Sequence, residues 1–356
     1  MNLGTFFQHM TNGISLGSLY ALIAIGYTMV YGILRLINFA HGDIFMMSMY
    51  FAFLGVAVFG LPWYIVFPLV IVFTGLFGMG VEKITYKPLR DAPKISILIS
   101  AIGASFLLEN VATVFFSGLP KVFPVPEIFA RVIKIGSVSI QVISFIIPVV
   151  TIVFLIGLLY LINKTKTGMA MRAVSKDYET ARIMGIDVNR TISITFGVGS
   201  MLAAVGGLMW GSKFQQITPL MGIMPGLKCF IAAVIGGIGN VKGAVMGGFI
   251  LGMGEILLVA FFPAYTGYRD AFAFVLLIVI LLVKPTGLTG EKISLELEKT
   301  WTIKAKDSEA IAVGDVVYWD DTNKEMTKVD TNNIYAGRAL SPKGASAGTI
   351  DVKINV

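Results

Sequence analysis

VISFIIPVVTIVFLIGLLYLI, residues 142–162, runs straight into NKTKTGMAMRAVSKDYETARIMGIDVNR, residues 163–190, and this junction decides the fold class. The first part holds no charged residue and is as long as the roughly 20 residues a helix needs to cross a bilayer's hydrocarbon core. The second part carries Lys164, Lys166, Arg172, Lys176, Arg182 and Arg190. Basic residues gathered beside a span mark the cytoplasmic side.

Working outward, similar apolar runs occupy 14–33, 44–60, 62–82, 96–117, 192–212, 243–262 and 270–284. A second basic loop contains Lys83, Lys87, Arg90 and Lys94. The runs at 96–117 and 142–162 therefore leave the cytoplasm and return to it. The segment between them, with Pro120, Pro124 and Pro126, is expected outside as an extended loop. Lys284 after the last run predicts a cytoplasmic C-terminal side. Counting back from Lys83 puts 34–43 inside and the N-terminus outside, unless 34–43 is itself re-entrant. A shorter apolar piece, 229–238, runs into Gly236, Gly237 and Gly239. It reads as a half-helix or broken helix, which membranes tolerate where protein buries it or a cavity adjoins it; a tight surface turn is the other reading. The expectation is an all-α polytopic membrane protein of about eight spans plus this short helix.

Composition agrees. Of 356 residues, 56% are hydrophobic and 14% charged, against about 25% charged in soluble domains. The net charge of +7 is uneven: residues 1–290 hold 19 Lys+Arg against 10 Asp+Glu, and 291–356 hold 9 against 11. The basic excess lies in the hydrophobic part, so it carries topology information and argues against nucleic acid as a partner. With Cys229 as the one cysteine, an intrachain disulfide is excluded; His9 and His41 lack zinc-site spacing, so no metal is expected. No Lys or Arg precedes Arg35, so the positive start of a signal peptide is missing and the first run is expected to stay as a span. The domain reading is a transmembrane domain over 1–290, a linker over 291–299 and a small soluble β module over 300–356. In that module Val316–Trp319, Tyr335–Leu340 and Thr349–Val356 read as strands, separated by Asp-Asp-Thr-Asn and Pro-Lys-Gly turns.

Four features carry candidate function. In the long basic loop, Ser175 or Asp177 can cap a helix, and Gly185 followed by Ile186 suits its end. That helix would expose Glu179 and Arg182, with Ala181 and Met184 as a small apolar face. Its Glu179-Thr180-Ala181-x-x-x-Gly185 spacing is similar to the loop by which ABC importer permeases engage their ATPases; an ordinary amphipathic connector is the alternative. Asn38-Phe39-Ala40-His41-Gly42-Asp43 interrupts the apolar pattern, as a broken helix lining a pathway or as a polar surface turn. Gly236, Gly237 and Gly239 near Lys242 do not form the phosphate-binding pattern G-x-x-x-x-G-K-[ST], so this chain is not expected to bind or hydrolyse ATP; close helix approach suits them better. Glu109 and Glu255 sit inside apolar runs, where a charge at mid-bilayer costs about 2.5–3.5 kcal/mol. Each is expected either to line a path or to lie near a helix end.

Residues 5–290 resemble the LivH-type permeases of branched-chain amino-acid ABC importers. The resemblance is carried by Asn12–Ile14, Leu16–Ile33, Ile37–Gly42, Leu98–Gly103, Gly168, Arg172-Ala173, Asp177, Met184–Ile186, Ala232–Gly239, Gly243-Ala244 and Pro285–Gly287. It implies a multi-pass protein of the bacterial inner membrane that transports leucine, isoleucine or valine. It also implies a second permease subunit, two ATPase subunits that hold ATP and Mg, and an extracytoplasmic amino-acid-binding protein. Gly168, Arg172, Asp177, Glu179, Ala181 and Gly185 then fall in the ATPase-coupling loop. Substrate-contacting side chains are not assigned by it. The tail, especially Gly314–Thr322 and Gly337–Leu340, is similar to a small domain of unknown function among phage-associated proteins. An ion-driven transporter coupled through Glu109 and Glu255 competes with the importer reading. An intramembrane enzyme has no paired-carboxylate, His-rich or Ser/His/Asp arrangement to support it.

Overall fold

The computed structural model describes residues 3–34, 37–90, 92–135, 138–284 and 286–289, then 300–305, 310–312, 315–320, 325–329, 334–339 and 348–353. The chain divides into two compact units, Met1–Glu291 and Lys292–Val356. The expected linker 291–299 and the expected turns at 321–323 and 342–344 lie outside the described residues.

The first unit is helical. Its helices are α1 (Leu3–Leu34), α2 (Ala40–Phe53), α3 (Trp63–Val81), α4 (Lys94–Phe116), the single-turn α5 (Glu127–Ala130) and α6 (Ile143–Lys164). They continue with α7 (Lys166–Lys176), α8 (Tyr178–Ile183), α9 (Val188–Phe214), α10 (Ile223–Gly236), α11 (Val241–Phe261) and α12 (Arg269–Val283). Among the described residues, eight helical segments have the length and composition to cross a bilayer: those built on α1, α2, α3, α4, α6, α9, α11 and α12. This is a polytopic α-helical membrane protein.

Two expectations need correction. Helix α1 starts well before residue 14, because its polar first turns are held from outside: Gln8 Nε2 donates to the Ser139 carbonyl at 3.3 Å. The segment 118–141 is more than an extended loop. It pairs β1 (Lys121–Val122) with β4 (Gln216–Ile217) and forms a hairpin from β2 (Val132–Ile135) and β3 (Val138–Gln141). The short helix expected at 229–238 is present: 229–236 form the second half of α10, a 14-residue helix about 21 Å long at 1.5 Å per residue.

Helix α1 is the axis of the bundle, packing against α6, α9, α10 and α11. Small residues make this possible: a Cβ on Gly252 of α11 would run into the Gly17 backbone of α1. Close backbone approach is the usual adhesive between membrane helices. Helices α6 and α12 are more apolar and largely exposed at the rim, as lipid-facing helices should be.

The second unit is a closed barrel in the order β5-β7-β6-β8-β9, with β5 at Thr300–Ala305, β6 at Val316–Asp320, β7 at Glu325–Thr327, β8 at Ile334–Ala339 and β9 at Gly348–Lys353. The three strands read from the sequence are β6, β8 and β9; Leu340 and 354–356 lie outside the described residues. Strands β5 and β7 escaped the reading. Strand β7 is three residues long, too short to show alternation, and β5 follows directly on a charged run.

Candidate functional site: a broken-helix cavity and an exposed loop

The α1–α2 break is not a surface turn. Asn38, His41 and Asp43 are buried. Asn38 Oδ1 accepts a 2.8 Å hydrogen bond from the Tyr86 hydroxyl, which lies in a π-helical turn, Glu82–Tyr86, extending α3. His41 turns away toward α1, where its Nε2 lies 3.3 Å from the Ile23 carbonyl and its ring meets Tyr27 edge-on. The carbonyl only accepts, so the ring proton sits on Nε2. Gly42 lets α2 touch α10, because a Cβ there would collide with the Gly222 carbonyl.

A cavity of about 320 Å³ opens beside this break. Asn38, Gly42 and Asp43 line it together with Glu109 of α4, so two features far apart in sequence meet in one place. Asp43 Oδ2 accepts a hydrogen bond from the Ser105 hydroxyl. Neither Asp43 nor Glu109 has an ion-pair partner among the described residues.

Glu255 lies elsewhere, fully buried about two-thirds of the way along α11. Lys228 of α10 places its Nζ 2.9 Å from Glu255 Oε1 and 2.7 Å from Asp270 Oδ1. Arg269 stands 3.4 Å from Glu255 Oε2, and the Tyr20 hydroxyl donates to the same oxygen at 3.1 Å. Sequence reading missed Lys228, a charge inside an apolar helix, because the helix was started one residue too late to include it.

Gly236, Gly237 and Gly239 also stand apart from the cavity. A Cβ on Gly236 would collide with the Gly243 carbonyl of α11, so α10 and α11 touch there. Gly237 and Gly239 take φ of 104° and 88° in the turn between the two helices. Residues 286–289 fold back onto this turn: Leu288 N donates to the Ile235 carbonyl at 2.8 Å, Thr289 N to the Gly236 carbonyl at 3.1 Å, and Thr289 Oγ1 to the same carbonyl at 2.5 Å.

The long basic loop holds two helices where one was expected. Ser175 caps neither; it lies inside α7 and donates to the Arg172 carbonyl at 2.9 Å. Asp177 caps α8, accepting from the backbone N–H groups of Glu179 at 2.9 Å and Thr180 at 3.2 Å and from the Thr180 hydroxyl at 2.7 Å. Those bonds, the Thr180 ones foremost, hold its carboxyl below the usual range. Gly185 ends α8 at φ 81°, with Ile186 N bonded to the Ala181 carbonyl and Gly185 N to the Arg182 carbonyl. That pair of bonds is the Schellman stop. Arg172, Glu179 and Arg182 are exposed. Ala181 is buried against the bundle, so it does not belong to the exposed face; Ile183 and Met184, 85% and 76% exposed, supply the apolar tip instead. Gly168 is buried where α7 folds back on α6, and a Cβ there would strike the Leu161 and Ile162 carbonyls.

The two basic loops meet. Arg90 bonds both Glu82 and Asn189, and the Ser193 hydroxyl donates to Glu82 at 2.6 Å. A hollow of about 850 Å³ between the loops is lined by Tyr86 and Arg90 on one side and Tyr178, Glu179, Arg182 and Gly185 on the other. The Tyr178 hydroxyl donates to the Ile33 carbonyl. The exposed loop is thereby bonded to α1 just before the break.

The family described as branched-chain amino acid transport system / permease component matches residues 9–281. The phage cement protein family matches residues 270–354. The chain is 40% identical over 307 residues to the LivH high-affinity branched-chain amino acid permease of Escherichia coli K12, covering 83% of this chain and 97% of that one. It is 38% identical over 306 residues to BraD, the corresponding permease of Pseudomonas aeruginosa, covering 83% and 98%. A probable LivH of Methanocaldococcus jannaschii is 30% identical over 284 residues, covering 77% and 89%. The helical unit of the present chain is a multi-pass transport permease of the inner membrane and not an enzyme, and the chain belongs to the branched-chain amino acid transport permease family.

Proposed function

We propose that this chain is the channel-forming permease subunit of an ABC importer for leucine, isoleucine and valine. A second permease subunit would complete the channel. Two ATPase subunits would dock on the face that carries the basic loops, and an extracytoplasmic binding protein would deliver the amino acid. The chain itself holds no cofactor; ATP and Mg belong to the ATPases. The basic loops and Lys284 support a cytoplasmic position for that face and for the C-terminal side.

The observation that carries docking is the tip of the α7–α8 loop. Ile183 and Met184 stand out into solvent at the end of a helix capped at both ends. Exposed apolar side chains on a fixed scaffold, ringed by Arg182, Glu179 and Arg172, have the make-up of an interface centre with a polar rim. Gly185 is a poor place to test this, because its φ strains any other residue. The pair Ile183→Asp and Met184→Asp alters exposed positions only. Reconstituted with ATPases, second permease and binding protein, wild-type chain should import leucine only with ATP. The double variant should insert normally and bind the ATPases at least tenfold more weakly. Leucine uptake indifferent to ATP overturns the importer; wild-type ATPase binding by the variant overturns the docking tip.

A further inference from the structure

Among the described residues the cavity at the α1–α2 break is lined by two acidic side chains, Asp43 and Glu109, and by no lysine or arginine. Asp43 is 2% exposed and Asn38 3% exposed, yet Asp43 Oδ1 and Asn38 Nδ2 have no hydrogen-bond partner among the described residues. Buried polar atoms left in this state are costly, and a buried carboxylate most of all, unless something arrives to pair with them. Glu255, by contrast, has Lys228 and Arg269 beside it.

The rest of the wall is apolar: Phe39, Ile102, Phe106, Leu227 and Phe230. The start of α10, at Gly222 and Ile223, also lines the cavity, and a helix start carries partial positive charge. Asp43 bonds Ser105, eleven residues into α4 from Lys94, which is about 16 Å along the helix at 1.5 Å per residue. That depth is half of a hydrocarbon core of about 30 Å, where a carrier holds its cargo midway. The volume of about 320 Å³ falls at the lower end of small-molecule sites, about 300–1,000 Å³.

We propose that this cavity receives one zwitterionic α-amino acid during transport. Its ammonium group pairs with Asp43, beside Glu109. Its carboxylate points to the start of α10, and its hydrocarbon side chain lies on Phe39, Ile102, Phe106, Leu227 and Phe230. The assignment rests on the importer reading and adds the side chains that touch the cargo. Binding here is transient and weak by design, since the amino acid must leave on the far side.

The test uses the full complex. Ile102→Cys places a thiol on the wall, and Cys229, the native cysteine, is fully buried and silent to a water-soluble thiol reagent. Leucine should slow labelling of this thiol at least threefold. Isocaproate, which is leucine without the ammonium group, should not slow it at the same concentration. Adding Asp43→Asn, or Glu109→Gln as a second variant, should abolish the protection by leucine and lower leucine uptake at least tenfold in complexes that assemble normally. Protection by isocaproate equal to that by leucine overturns the ammonium site, as does uptake within twofold of wild type in both variants. If wild-type complexes import no leucine, the importer reading fails on its own. The cavity proposal then stands if another α-amino acid protects the thiol, and falls if none of the twenty does.

Discussion

Two acidic sites lie inside the same helical bundle and differ in one respect. Glu255 is met by Lys228, Arg269 and Tyr20, and Lys228 is shared with Asp270. Among the described residues Asp43 is met by the Ser105 hydroxyl alone, next to a cavity. Both are carboxylates in apolar helices, and from sequence they look alike. The difference teaches that a buried charge identifies function only when its partners are counted. Glu255 and its counter-ions join α10, α11 and α12, whereas Asp43 faces a cavity.

The largest effect should come from breaking the paired site. Lys228→Met leaves Glu255 buried with only the partly exposed Arg269 and Tyr20, and removing one member of a buried pair costs about 3–5 kcal/mol. Thermal unfolding of the purified protein should show a marked fall in Tm. The double variant Lys228→Met with Glu255→Met should recover most of it, because apolar replacement of a whole buried pair is close to neutral. A double variant as unstable as the single one would mean the cluster acts by packing, and the comparison would lose its basis.

Next comes the unpaired site, where stability and activity should part company. Asp43→Asn keeps the shape and removes a charge that has no counter-ion, so Tm should stay level or rise while uptake collapses. A fall in Tm like that of Lys228→Met would show Asp43 to be structural.

The smallest effect concerns a third carboxylate, Asp177, exposed and satisfied by amides and a hydroxyl. Its folded pKa is depressed, so its capping is present above the ordinary carboxylate value of about 4 and fades as pH falls through the lower folded value. Hydrogen exchange at the Glu179 and Thr180 amides, corrected for intrinsic rate, should quicken below about pH 4. Asp177→Asn, which caps without titrating, should show no such step.

The membrane fold was legible because lipid imposes a length rule. Runs such as 142–162 and 96–117 became α6 and α4 within a few residues. What escaped was whatever tertiary contact decides. The extension of α1 to Leu3 depends on β3, and the hairpin at 132–141 lies in a stretch whose prolines dominate its reading. At the candidate site, Asn38, Gly42, Asp43 and Glu109 were visible as oddities, each with a bland alternative. Their convergence on one cavity was not visible, because Asp43 and Glu109 are 66 residues apart and no local pattern links them. Ala181 was misread for the same reason: a short helix shows period 3.6 but not which side faces the bundle.

The backbone at 286–289 closes the permease unit, and the closure bears on the residues downstream of it. The last carbonyls of α10 have no amide ahead of them in their own helix, and Leu288 and Thr289 supply the missing donors. A stitch of this kind turns the residues past the final span into a selvedge, a finished edge that does not unravel when cloth of another weave is sewn to it. The chain can then continue past Thr289 with the last carbonyls of α10 already paired.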